Sequence, residues 1–138
     1  MNNQPVNEVP YRLIKDDVKI GENTKVFSFT NLYGCQIGNN SMIGTFVEIQ
    51  ADVKVGDGCK ISSHTFICSG VDIGNGCFIG HGVMFINDKN PRAMKPDGTP
   101  ETLEDWKDRY VTTKIGDNVS IGSNATILGG ITIGECAL

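Results

Sequence analysis

Branched apolar residues recur along this chain at a fixed step of six. The series runs Ile37, Ile43, Ile49, Val55, Ile61, Ile67, Ile73, Ile79 and Phe85, and resumes at Ile115, Ile121, Ile127 and Ile133. Upstream, Ile20, Val26 and Leu32 keep the step, with one residue missing before Ile37. All sixteen anchors are Ile, Val, Leu or Phe, although these types make up only 37 of the 138 residues. Chance does not produce such a column. Two residues before each anchor stands a second column, from Val18, Thr24 and Thr30 through Cys35, Ser41, Val47, Cys59, Thr65 and Cys77 to Val119, Ala125 and Ile131. Its members are all small or β-branched. Residues two apart in an extended chain point to the same side. The pattern therefore predicts very short strands separated by turns, each too small to bury its face alone and so stacked on its neighbours.

A period of 18 is superimposed on the six. Every third anchor is followed by glycine, as in Ile20-Gly21, Ile37-Gly38, Val55-Gly56, Ile73-Gly74, Ile115-Gly116 and Ile133-Gly134. The third member of each triplet carries Tyr33, Gln50, Cys68, Ile86 or Leu128 instead. Three chemically different sides imply a triangular coil. The side with bulkier, less polar outward residues is expected to face a partner subunit or to floor a ligand groove, because outward apolar rows mark interfaces.

Composition agrees with this reading. Isoleucine and valine number 26 against 9 for leucine plus alanine, and glycine numbers 17, a bias that excludes a helical bundle. The net charge of −4 argues against a nucleic-acid partner. No apolar run is long enough for a membrane span, and the polar stretch Met1–Pro10 has no apolar signal core, so a cytoplasmic location is expected. The five cysteines contain no CxxC pair and read as reduced thiols. Cys35, Cys59 and Cys77 belong to the inward column and are expected to act as small hydrophobes. The expected organisation is an N-terminal segment, residues 1–17, followed by an all-β triangular coil over residues 18–138 with an inserted loop at 86–114.

That insertion carries 12 of the chain's 28 charged residues, six of each sign, together with Pro91, Pro96, Pro100 and the lone Trp106. Ile115 returns in register with Phe85, so the segment reads as an excursion from the coil and not as a domain boundary. Long loops in compact domains are usually functional, and this one is expected to reach over a neighbouring subunit and wall a groove. Within it, Pro100–Tyr110 is expected to begin a short helix capped by Thr102 or Thr99.

The repeat resembles the left-handed parallel β-helix of the hexapeptide-repeat acyltransferases over residues 18–85 and 113–138. The stretch around Phe85, Asn87, Asp88, Pro91 and Arg92, with the later Glu104-Asp105-Trp106, resembles bacterial N-acetyltransferases of nucleotide-linked 3-amino sugars, either UDP-linked uronates or dTDP-linked 6-deoxyhexoses. Ile86 stands where that branch usually has threonine. The resemblance implies acetyl-CoA as co-substrate, no metal, a homotrimer with sites between neighbouring coils, and a role in surface-polysaccharide synthesis. It also implies further coils and a C-terminal cap, so a chain ending at Leu138 reads as truncated at its C-terminus.

Amide formation needs the thioester held near the amine, an oxyanion stabilised and a proton removed. Only His64 and His81 are available as imidazoles. His81, close to the insertion, is the candidate base, while His64 is a candidate substrate contact. The resemblance places Asn87 at the acceptor amine and allows the departing thiolate to take the proton. Asp88 is a candidate for positioning the amine or for an Asx-turn that ends the strand. Arg92 is a candidate for a diphosphate or sugar carboxylate, or for an ion pair within the loop. Two other readings remain: a non-catalytic or truncated scaffold, and a γ-type carbonic anhydrase-like protein, which needs three histidines on zinc where this chain has two.

Overall fold

A computed structural model describes residues 11–138 as one β-solenoid, a left-handed β-helix. The part of the N-terminal segment before Tyr11 lies outside the described residues. Two-residue strands, with an occasional third residue, form three parallel sheets that are the sides of a triangular prism. The first sheet stacks Leu13–Ile14, Asn31–Leu32, Glu48–Ile49, Phe66–Ile67, Met84–Phe85 and Thr126–Ile127. The second stacks Lys19–Ile20, Gln36–Ile37, Lys54–Val55, Val71–Ile73, Thr113–Ile115 and Thr132–Ile133. The third stacks Lys25–Val26, Met42–Ile43, Lys60–Ile61, Phe78–Ile79 and Ser120–Ile121. Anchors pair with anchors, Leu32 with Ile49 and Ile73 with Ile115 among them, so the register bridges the insertion without a slip.

From Val26 to Ile127 every anchor is buried, each removing from water a side chain worth about 1.5–3 kcal/mol. Ile20 and Ile131, in the first and last turns of the coil, are exposed because a neighbour covers them on one side only. The coil also begins before the column of small inward residues does. Leu13–Ile14 pairs with Asn31–Leu32, so a strand of the solenoid lies inside the segment 1–17. Ile14 sits on the step of six, but its inward partner is Arg12, whose Nη1 donates to the Val26 carbonyl at 3.1 Å.

The corner between the second and third sheets explains the glycines. Asn39, Asp57, Asn75 and Asp117 each accept, through Oδ1, the backbone N–H of Glu22, Asn39, Asp57 and Asn75 in the preceding coil, at 2.7–2.8 Å. This ladder needs close approach. A Cβ on Gly56 would stand 2.4 Å from Asn75 Oδ1 and 2.6 Å from the Gly74 carbonyl oxygen.

On the inner side of the same corner, Thr24, Ser41, Cys59 and Cys77 donate to the carbonyls of Gly38, Gly56, Gly74 and Gly116. The inward thiols of Cys59 and Cys77 thus take the place of hydroxyls in a hydrogen-bonded column, in addition to filling space. At the corner between the third and first sheets, Tyr11, Phe29, Phe46 and His64 all have positive φ, near 60°, and form an exposed row. Their ring centroids are 5.3, 5.2 and 5.0 Å apart.

Candidate functional site

The insertion leaves the coil at the corner between the first and second sheets. In other coils this corner is filled by Ala51, Ser69 and Gly129; here it is filled by Asn87, from which the chain departs. The stem closes at once. The Val111 N–H donates to the Asn87 carbonyl at 3.0 Å, and Asp88 forms an antiparallel bridge with Tyr110. Gly129 is required beneath it, because a Cβ there would stand 2.5 Å from Val111 Cγ2 and 2.6 Å from the Ile86 carbonyl oxygen. Further out, Met94 bridges Pro100, and a five-residue helix, Leu103–Lys107, starts at Thr102. The Thr102 N–H and hydroxyl both donate to the Asp105 carboxylate, at 2.8 and 2.9 Å. The helix and the Thr102 cap thus stand where the sequence expects them.

The insertion folds back over its own chain instead of only reaching away from it. Pro91, Arg92, Trp106 and Tyr110 wall a pocket of about 330 Å³ whose floor is Phe66, Cys68, Met84 and Ile86 of the first sheet. The bulky outward side is therefore the base of a groove, one of the two roles expected of it. Burial pushes the Cys68 thiol up to about 11, which leaves it a protonated, apolar part of the floor.

Asn87 lies on the pocket lining with its amide orientation set. Nδ2 donates to the Ser69 carbonyl at 3.0 Å, and among the described residues Oδ1 receives no donor. Asp88 makes the Asx-turn, accepting the Asn90 N–H at 2.9 Å. Its carboxylate is also engaged by Arg109, whose Nη2 stands 2.9 Å from Oδ2. Arg109 closes on a second carboxylate as well, donating through Nη1 and Nη2 to Glu101 at 2.9 and 2.7 Å. Glu101 in turn accepts from Arg92 Nε.

Two arginines and two carboxylates thus form a neutral chain that ties the start, middle and end of the insertion together. Hydrogen bonds from Arg109, then from Arg92, hold the Glu101 carboxyl down at about 2. The Arg109 bond likewise lowers Asp88. Glu101 and Arg109 were not found by sequence reasoning. Their only local signal is opposite charge across a proline-punctuated loop, and the pairing depends on the fold-back.

The histidines stand elsewhere. His81 is exposed at the corner between the third and first sheets, with Nδ1 3.5 Å from Ser123 Oγ, beside a shallow groove lined by Phe27, Met42, Lys60 and Ser62. His64 ends the aromatic row. One chain brings Asn87, Asp88 and Arg92 to the pocket. Neither histidine lines it, since His81 and Asn87 lie at opposite ends of the strand Met84–Phe85. Among the described residues no group of three or more His, Cys, Asp or Glu side chains gathers to hold a metal ion, and no helix is long and apolar enough to cross a membrane.

Fold and site together define a hexapeptide-repeat solenoid with one decorated corner and an apolar, polar-rimmed pocket beneath it. The model of the bacterial transferase hexapeptide (six repeats) family matches residues 34–69, 52–87 and 112–138, and the chain belongs to that family. It is 30% identical over 129 residues to the bifunctional protein GlmU of Acinetobacter baylyi, covering 93% of this chain and 24% of that protein. The chain thus spans about a quarter of the length of the curated relatives it matches.

Among solved structures, the acetyltransferase domain of PglB from Neisseria gonorrhoeae superposes with a TM-score of 0.67 at 17% identity, over 91% of this chain and 52% of that one. A mutant of perosamine N-acetyltransferase from Caulobacter crescentus, in complex with CoA and GDP-perosamine, gives 0.52 at 15% identity, over 91% and 48%. These likenesses establish the shared fold.

Proposed function

We propose that this protein is an acetyl-CoA-dependent N-acetyltransferase acting on the amino group of a nucleotide-linked amino sugar, of the UDP- or dTDP-3-amino class, in surface-polysaccharide synthesis. The observation that carries this reading is Asn87, fixed by Ser69 at the pocket with its amide oxygen unclaimed. An oriented carbonyl-type acceptor is what a neutral amine needs in order to present its lone pair to a thioester. The apolar floor fits a sugar ring, and Arg92 at the rim fits its anionic linkage. The membership in a transferase family and the two neighbours, an acetyltransferase domain and a perosamine N-acetyltransferase, support the same class.

In the reaction, the amine nitrogen bonds to the acetyl carbon, the carbon–sulfur bond breaks, and the amine's surplus proton passes to the departing thiolate or to an imidazole. His81 serves as that imidazole only if a second copy supplies it, because one chain separates it from Asn87. His64 would join the substrate from the same direction. This geometry, with the exposed aromatic row as a contact surface, makes a homotrimer with shared sites part of the proposal. Light scattering should give three times the 14.9 kDa chain mass.

Thermal shift tests ligand binding. Acetyl-CoA at 100 times its dissociation constant adds about 2.7 kcal/mol to stability. Absence of any shift at saturating acetyl-CoA counts against the enzyme and in favour of a scaffold.

A further inference from the structure

We propose that Glu101 is a positioning residue that holds Arg92 ready for the anionic linkage of the substrate; the inference rests on the nucleotide-sugar reading of the pocket. Among the insertion's ion pairs Glu101 is the most enclosed partner, its side chain 1% accessible against 50% for Arg92. It meets two guanidinium groups with opposite fates. Arg109 is closed from both sides, by Asp88 and by Glu101, and has no edge left for a ligand. Arg92 contacts Glu101 through Nε, and among the described residues its two terminal nitrogens have no partner.

Guanidinium is planar and rigid, so an acceptor held at Nε turns the outer edge away from Glu101 and narrows the orientations it can take. That outer edge is the one suited to an end-on, bidentate contact with a phosphate or carboxylate. Arg92 also lines the pocket, so a ligand seated there is within the reach of this side chain. The Arg109–Asp88 pair and the Asp88–Tyr110 bridge already tie the stem of the insertion, whereas only Glu101 extends the network to Arg92. A side chain ordered before the ligand arrives loses less freedom on binding.

The test is a double-mutant cycle read by calorimetry with UDP and dTDP as probes. Glu101→Gln is expected to weaken binding of the preferred nucleotide about tenfold, the loss of a hydrogen bond between charged groups. In an Arg92→Ala background the same change should add less than about twofold, because the two residues act as one unit. Acetyl-CoA affinity should stay at the wild-type value. Trp106 fluorescence reports whether the insertion remains folded. Glu101→Asp, which keeps the charge but withdraws it from Arg92, should show the same loss and serves if Glu101→Gln unfolds the loop.

Wild-type affinity in both variants, or losses that multiply in the double mutant, would overturn the proposal. Nucleotide binding with this coupling but no acetyl transfer would remove the functional reading and leave the positioning role intact. No affinity of the wild-type protein for either nucleotide would overturn both.

Discussion

The side-chain amide of Asn87 donates to the backbone carbonyl of Ser69, one coil below, across 3.0 Å. A residue that opens a long insertion is thus fixed by the regular coil, and its orientation does not depend on the loop. Asn87→Ala should lower kcat by about a hundredfold, the usual scale for a lost acid–base or orienting group. Acetyl-CoA affinity should be unchanged. Steady-state kinetics beside calorimetry check this, and a wild-type kcat would remove Asn87 from the chemistry.

His81 is exposed and its Nδ1 is 3.5 Å from Ser123 Oγ, a loose contact that fixes no tautomer. With the thiolate as proton acceptor, His81→Ala is expected to cost less than about tenfold in kcat, below the range of an essential general base. A larger loss would assign the proton to His81.

The insertion should respond to acid before the coil does. Glu101 and Asp105 are both held down at about 2, Glu101 by Arg109 and Arg92, Asp105 by Thr102 and then Lys95. Folded values below the unfolded ones mean that these carboxylates stabilise the loop above the unfolded pKa, and that the contribution is lost as pH falls toward the folded one. Trp106 emission should therefore change between about pH 4.5 and pH 2 while far-UV circular dichroism of the coil persists. Arg109→Ala should move that transition to higher pH. A Trp106 transition that coincides with coil unfolding in both proteins would contradict the network's role.

The glycines divide into two kinds. Gly56→Ala drives a Cβ against Asn75 Oδ1 and the Gly74 carbonyl, and should destabilise by about 1–3 kcal/mol, the range for overpacking. Gly122→Ala meets open space among the described residues and should stay within about 0.5 kcal/mol. Urea midpoints of the two variants decide it. Equal effects would mean that close approach is not what selects glycine at the ladder corner.

The coil was legible because its anchors repeat with one chemistry and one step, so each position confirmed the others. It failed at Ile14, where Arg12 replaces the small inward residue and instead bonds to the Val26 carbonyl. The role of glycine after every third anchor was visible as a pattern, but its cause, the Asn39–Asp57–Asn75–Asp117 ladder, required the stacking. At the site, Asn87, Asp88 and Arg92 could be found because they are close in sequence. Glu101 and Arg109 could not, because they join Asp88 and Arg92 only once the insertion doubles back. The two histidines drew notice as rare imidazoles, yet the triangular cross-section places them at the opposite edge of the first sheet from Asn87, and neither lines the pocket.

The most direct measurement follows free thiol released from acetyl-CoA in the presence of UDP- and dTDP-linked 3-amino sugars. The proposed N-acetyltransferase should show release that requires both substrates, yields the acetamido sugar in equal amount, and nearly disappears in Asn87→Ala. No sugar-dependent release with either series, or the same rate in Asn87→Ala as in the wild type, would contradict it.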